Sequence, residues 1–260
     1  MNRTVVALES RLKGCANVAT LGVRPNFSDY GPEAAEMIRN ADTVYYPATF
    51  YADLLDAMGK RTFPSYHTYK CVMDKIKQTA LFDLLGLPHP RTRVFYGRHW
   101  FDKTLDQFDY PFIAKIPRGS AMGRGVFLIR NAADLEAYAQ RNPSPAYIQE
   151  HLAIDRDIRA VIIGREVVLA YWRRAPAGDF RSNVSMGGRV SLDPVPKAAR
   201  DLALRCAAAC GWDDVGIDIC GHDGRYLILE ANMKYGKEGF RAAGIDYLHL
   251  MEGLIRDGKI

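Results

Sequence analysis

The stretch that most limits the fold runs from Pro111 to Ile129. Pro111–Ile116 reads as a strand, with Phe112, Ala114 and Ile116 on one face and Ile113 and Lys115 on the other. A glycine-rich turn follows, Gly119-Ser120-Ala121-Met122-Gly123-Arg124-Gly125, and Val126–Ile129 is the returning strand. A lysine just before Gly-x-x-x-Gly-x-Gly can reach phosphate, and glycines let backbone N–H groups approach oxyanions without a Cβ in the way. The Gly-Lys-Ser/Thr of a Walker loop is absent. A dinucleotide fingerprint is excluded too, because the spacing differs and a strand rather than a helix follows. What is left is a phosphate lid between two strands, or, taken alone, an ordinary hairpin with a surface lysine.

The rest of the chain reads as α/β (α+β). Residues 4–8 form a first buried strand, 31–40 a helix opening at Pro32, 44–46 a strand, and Tyr51–Met58 a helix closed by Gly59. Together 1–66 make a small α/β unit, short for a nucleotide-binding domain. Residues 68–85 read as one helix, with Val72, Ile76, Ala80 and Leu84 at helical spacing and Gly86 as its stop. Strands follow at 92–96 and 147–150, with a helix capped by Asn131 between them. Asp157–Ile163 and Glu166–Trp172 pair as a hairpin through Gly164-Arg165, a type II′ pattern. A helix at 196–210 stops at Gly211, two strands (215–220 and 226–231) flank Gly221–Gly224, and 244–257 is a last helix.

Two more clusters carry chemistry. Glu230 and Asn232, two apart, share a strand face, and Asp218 lies on the preceding strand. Carboxylate and amide oxygens suit Mg²⁺. Strand parity adds a condition: a four-residue loop at 221–224 puts Asp218 and Glu230 on opposite faces, so the metal reading needs an odd connection or a bulge. The alternative, solvated strand acids, fits poorly with the apolar Leu227–Leu229 run before them. The other cluster is Asp157-Ile158-Arg159, Arg173-Arg174 and Phe180-Arg181-Ser182-Asn183, which could clamp phosphate or carboxylate or simply ladder an exposed hairpin.

Composition excludes several classes. No apolar run approaches the ~20 residues of a membrane span, and Val5–Leu8, followed by Glu9 and Arg11, is too short for a signal core. Five cysteines without a CxxC fit reduced thiols in a cytoplasmic protein. The net charge of +5 is dispersed, which fits an anionic small substrate rather than a nucleic-acid stripe.

In this order, Lys115 with its glycine loop, YIQE at 147–150, DIR at 157–159, FRSN at 180–183, GIDI at 216–219 and LEAN at 229–232 resemble the ATP-grasp superfamily, above all its RimK-like ligases. The resemblance covers about residues 67–258. It implies two α+β lobes gripping ATP (67–150 with the lid, 151–260 with the metal site) behind an abbreviated N-terminal domain at 1–66. It implies that Lys75 and Lys115 touch phosphates and that Gly119, Ser120, Gly123 and Gly125 close over them. Glu150 and His151 would present the adenine edge, Asp157 would sit near the ribose, and Arg181, Ser182 and Asn183 would reach nucleotide or acyl phosphate. Asp218, Glu230 and Asn232 would bind two Mg²⁺, with Mn²⁺ able to substitute, and Arg173, Arg181 and Asn183 would serve the reaction.

The implied activity is ATP-dependent carboxylate–amine ligation through an acyl phosphate, adding an amino acid such as glutamate to a small molecule or peptide. The implied partners are an anionic carboxylate, an amine and a second copy of the chain, with no nucleic acid or membrane. A kinase on the same fold and a non-catalytic basic binding protein are the competing readings. The sequence departs from the RimK pattern in a lid one residue longer, a gap before DIR about two residues shorter, and Met233-Lys234-Tyr235-Gly236 where a Ser-Ser-Pro-Gly-like turn is usual. Lys234, Lys237 and Arg241, with Arg173 and Arg174, point to an anionic acceptor.

Overall fold

A computed structural model describes residues 5–97, 99–120, 125–142, 144–176 and 187–260. Three sheets organise it. The first is parallel, with strands β1 (Val5–Ala7), β2 (Val18–Thr20), β3 (Thr43–Tyr45) and β4 (Arg61–Phe63) in the order β2-β1-β3-β4. Its helix α1 (Pro32–Asn40) has proline in the first turn, where the missing N–H costs nothing, and buries Ala35 and Ile38. Helix α2 (Ala48–Ala57) buries Tyr51, Ala52 and Leu55. Strands β2 and β4 were not expected: each is three residues long and only partly buried, too short to show alternation.

The single helix expected over 68–85 is two. Helix α3 (Tyr66–Lys70) ends at Cys71, Met73 takes a left-handed φ of 53°, and α4 (Lys75–Leu85) restarts with Asp74 as its cap. The expected apolar stripe is also the wrong face. Leu84 is 83% exposed, while Lys75, Gln78, Thr79 and Phe82 are buried. Polar residues point inward because partners wait there: the Gln78 amide donates to Ala231 O (2.9 Å) and accepts from Ala231 N (3.0 Å), and Thr79 Oγ1 lies 2.6 Å from the Tyr147 hydroxyl.

The second sheet is antiparallel, in the order β5-β8-β6-β7: β5 (Thr92–Phe95), β6 (Phe112–Lys115), β7 (Val126–Ile129) and β8 (Ala146–Glu150). Helices α5 (Trp100–Leu105) and α6 (Ala132–Arg141) cover one face, packing Trp100, Leu135 and Tyr138 on Phe112, Ala114 and Ile148. Asn131 caps α6 through a bond from Asp134 N (3.0 Å). Pleat alternation sends Ile113, Lys115, Tyr147 and Gln149 to the other face.

The third sheet runs β11-β10-β9-β12-β13: β9 (Arg156–Ile163), β10 (Glu166–Arg174), β11 (Arg189–Ser191), β12 (Asp214–His222) and β13 (Arg225–Asn232), with α7 (Lys197–Cys210) on one face. Ile158, Ala160 and Ile162 of β9 and Val215, Ile217 and Ile219 of β12 pack under α7. Asp157 and Arg159, and Asp214 and Asp218, therefore face away from it. Gly164 has the positive φ (67°) that the expected turn with glycine first requires. The β12–β13 turn is tighter than expected. His222 pairs with Arg225, so the strands continue through Gly221 and only Asp223 and Gly224 turn, both at positive φ (48° and 73°).

Helices α8 (Glu238–Ala242) and α9 (Tyr247–Arg256) return to the first sheet. Tyr247, Met251, Leu254 and Ile255 share a core with Ala7, Leu12, Cys15 and Tyr45, and with Val161, Ile163 and Tyr171 of the third sheet. Among the described residues no helix is long and apolar enough to cross a membrane. All five cysteines are free and buried.

Candidate active site

The even turn alone would put Asp218 and Glu230 on opposite faces. A bulge corrects the parity: the register shifts between Asp218 and Ile219, whose partners are Glu230 and Ile228. The extra residue on β13, Leu229, brings Asp218 directly opposite Glu230. Asn232, two residues on, donates from Nδ2 to Asp218 Oδ2 at 3.0 Å.

Asp218 belongs first to an arginine network. Arg159 holds it with Nη2 at 3.0 Å from Oδ2 and with Nε on Oδ1, and Arg173 Nη2 lies 3.0 Å from Oδ2. Arg173 in turn forks onto Asp157 at 2.8 and 2.7 Å. All four side chains are buried. Burial alone would raise the Asp218 pKa, but the two guanidiniums outweigh it and hold the carboxyl below its ordinary range. Burial works against the Arg173 charge as well, and Asp157 and Asp218 reverse it, so its pKa rises. Arg174, by contrast, is exposed and lies 3.5 Å from Asp155.

The facing wall comes from α4 and the second sheet. Lys75 Nζ lies 3.3 Å from Glu230 Oε1 and donates to Ser120 O at 2.9 Å, joining the lid base to the carboxylate. Asp74 accepts from Lys77 N (3.0 Å) and from Arg118 Nε (3.0 Å), which fixes the start of α4 to the chain just before the lid. Lys115 is buried over the Tyr147 ring, its Nζ 5.8 Å from the centroid. Burial pulls its pKa down to about 8, against the opposing pull of Glu230.

At the lid base Gly119 has a φ of 68°. A Cβ on Gly125 would stand 2.2 Å from Ser120 Oγ and 2.9 Å from Ile116 Cβ, so only glycine fits there. Gly123, Arg181, Ser182 and Asn183 lie outside the described residues.

A narrow cavity of about 120 Å³ opens between the lobes, lined by Ile113, Lys115, Glu150, His151, Asp157 and Glu230 among others. Glu150 spends its carboxylate on Arg91 N (2.6 Å). Burial, with Arg130 nearby, lowers the His151 pKa.

The donor set suits a hard divalent cation in kind, with carboxylates from Asp218 and Glu230 and an amide oxygen from Asn232. The two carboxylates differ in readiness. Glu230 is a quarter exposed with one lysine beside it, whereas both oxygens of Asp218 are engaged by guanidinium. Sequence reasoning missed Asp74, Gln78, Thr79 and Arg118. The available signal was the polar i, i+3, i+4 face of Lys75, Gln78 and Thr79, hidden behind the more obvious apolar stripe.

Residues 72–254 match the family described as a RimK-like ATP-grasp domain. The chain belongs to that family. Among curated relatives of this RimK-like protein are a probable alpha-L-glutamate ligase of Citrobacter koseri and a ribosomal protein bS6–L-glutamate ligase of Escherichia fergusonii. Each is 34% identical over 184 residues, which is 66% of this chain and 60% of the relative. The chain thus spans about three-fifths of the length of those relatives.

Solved structures with the same fold include the ATP-grasp ligase PsnB with a phosphomimetic precursor variant, Mg and ADP (TM-score 0.71, 18% identity, 100% of both chains). A RimK domain ATP-grasp protein from Sphaerobacter thermophilus is similarly close (TM-score 0.69, 16% identity, 97% of this chain and 98% of that one). D-alanine–D-alanine ligase from Bacillus anthracis with ATP follows (TM-score 0.67, 15% identity, 94% and 88%).

Proposed function

We propose that this RimK-like chain is an ATP-dependent carboxylate–amine ligase, adding an amino acid such as glutamate to a small-molecule or peptide acceptor. One observation carries the reading. Two lysines and two arginines converge with Asp218, Glu230 and Asn232 in the cleft between the second and third sheets, beneath the lid base. Such an array neutralises a polyphosphate and the oxygens that gain charge as phosphoryl is transferred.

In this reading Lys75 and Lys115 hold phosphate oxygens, and Arg159 and Arg173 orient Asp218 and balance its charge. Gly119, Ser120, Gly123 and Gly125 cover the phosphates, Glu150 and His151 border the adenine, and Asp157 lies toward the ribose. Arg181, Ser182 and Asn183 approach the acyl phosphate. Glu230 and Asn232, with Asp218, would hold two Mg²⁺ or Mn²⁺. Bound there, the cations would neutralise the phosphate oxygens. A substrate carboxylate oxygen takes the γ-phosphoryl group and ADP leaves. The amine nitrogen then attacks the acyl carbon and phosphate leaves. Neither step needs a side-chain nucleophile.

The relatives' names support an amino-acid substrate, the free buried thiols support a cytoplasmic setting, and self-association is part of the same proposal. Glu230→Gln removes one ligand charge from a partly exposed position. It should abolish amine-dependent ADP release from Mg·ATP while the circular dichroism spectrum and melting stay native. Undiminished turnover would sink the assignment, and a phosphorylated acceptor in place of an amide would make the protein a kinase.

A further inference from the structure

A short antiparallel ladder ties the chain before the lid to the start of α4. Asp74 and Arg118 pair as a bridge. On either side of it Lys75 N donates to Pro117 O (2.9 Å) and Gly119 N donates to Met73 O (3.1 Å). Across the bridge Arg118 Nε donates to Asp74 Oδ2 (3.0 Å), while Oδ1 of the same carboxylate accepts from Lys77 N (3.0 Å) and caps the helix. One carboxylate therefore does two jobs: it starts α4, and it holds the chain that leads into the lid.

Two features show that the ladder is held against a cost. Met73, just before the cap, has a left-handed φ of 53°, which a residue with a side chain keeps only where its surroundings fix it. Asp74 is nearly buried, and burial works to raise its pKa; the bond from Lys77 N and the Arg118 guanidinium reverse this and hold it below its ordinary range. The Arg118 side chain is 54% exposed, so it contributes through the bond to Asp74 rather than through packing. What the ladder places is Lys75, the first residue of α4. Its backbone is fixed by Pro117, and its Nζ reaches Ser120 O and Glu230. The first turn of a helix takes its direction from the cap, so a shift at Asp74 moves the ammonium that follows it.

We propose that Arg118 is a positioning residue for nucleotide binding: through Asp74 it sets the start of α4, and so the place of the Lys75 ammonium in the cleft. Among the described residues the bonded partner of its side chain is Asp74, so its effect reaches the phosphates at second hand. Exposure sets the size of that effect. An ion pair open to water is weak and screened by salt, and losing it should change nucleotide affinity about two- to fivefold, less at high ionic strength. The inference rests on the ligase reading, which assigns Lys75 to a phosphate.

Calorimetry on the full chain tests it, with Mg·ADP and with adenosine, which has no phosphate. Arg118→Ala should weaken Mg·ADP by that factor and leave adenosine unchanged, whereas a general loosening of the fold would weaken both. Arg118→Lys, which keeps a donor for Asp74, should recover most of the loss. In a Lys75→Ala background the Arg118→Ala change should have no further effect, because the route through Lys75 is gone. If adenosine or the Lys75→Ala variant binds too weakly to measure, hydrogen exchange decides: the amides of Lys75 and Lys77, bonded to Pro117 O and Asp74 Oδ1, should exchange severalfold faster in Arg118→Ala. Mg·ADP affinity equal to the parent's, adenosine weakened in step with Mg·ADP, a full effect without Lys75, or unchanged exchange at both amides overturns the inference and leaves the ligase reading standing. Failure of the parent chain to bind Mg·ADP overturns the ligase reading and this inference with it.

Discussion

Asp214 shows how a single buried charge sets a pH dependence. It is fully enclosed and bonded by two tyrosine hydroxyls, and burial, only partly offset by Arg11, raises its pKa to about 6. An acid raised in the folded state binds its proton more readily there than in the unfolded chain. Its contribution is therefore present below about pH 4 and lost as pH rises through about 6, a drop on the order of 2–3 kcal/mol at most. Urea unfolding between pH 4.5 and 7 should show this decline in the native chain and a flatter profile in Asp214→Asn. Parallel profiles would remove Asp214 as the cause. Gly216 makes a steric argument of the same size. A Cβ there would lie 2.9 Å from Arg159 Cδ and 3.1 Å from Tyr235 Cβ, and Arg159 is pinned by its fork onto Asp218. Gly216→Ala should cost about 1–3 kcal/mol and lower turnover along with stability; a variant equal to the parent in both would show that Arg159 has room to move.

Among the elements, α4 ties the two lobes. Its Gln78 completes the backbone of Ala231 on β13, and its Lys75 joins Glu230 to the lid base. Gln78→Leu leaves a buried N–H and C=O unmet and should destabilise by about 1–3 kcal/mol, with faster hydrogen exchange at Ala231. Unchanged exchange there would show that the strand does not depend on the helix. Elements also mark where legibility ends. The pairing of Glu230 with Asn232 on one face, the lid strands and the Asn131 cap follow from local spacing and could be read directly. The bulge that admits Asp218 could be posed only as a condition, because parity is local and its correction is a matter of cross-strand register. The inward face of α4 was misread because its polar partners are far away in sequence, and the tyrosine cluster around Arg11 was missed for the same reason. It joins residues 11, 46, 214, 235 and 247, which no window of sequence spans.

For the whole molecule, the ligase reading makes nucleotide a stabiliser of the closed arrangement. Mg·ATP at a hundredfold its dissociation constant should add about 2.7 kcal/mol, raising the melting temperature by roughly 5–10 °C for a chain of this size. Glu230→Gln should lose most of that increment, and an identical shift in the variant would place the nucleotide elsewhere. The connections between the first sheet and α9 bear on another matter. Ala16 N and Asn17 Nδ2 both bond Glu252, and Cys15 and Leu12 share their core with Met251 and Leu254. On the ribosome those early strands emerge long before the helix that covers them. Until α9 is made their apolar face has no permanent cover. The nascent chain must therefore be shielded, or kept from committing, over the residues that separate the two, so a ribosome that pauses between them endangers the segment left waiting.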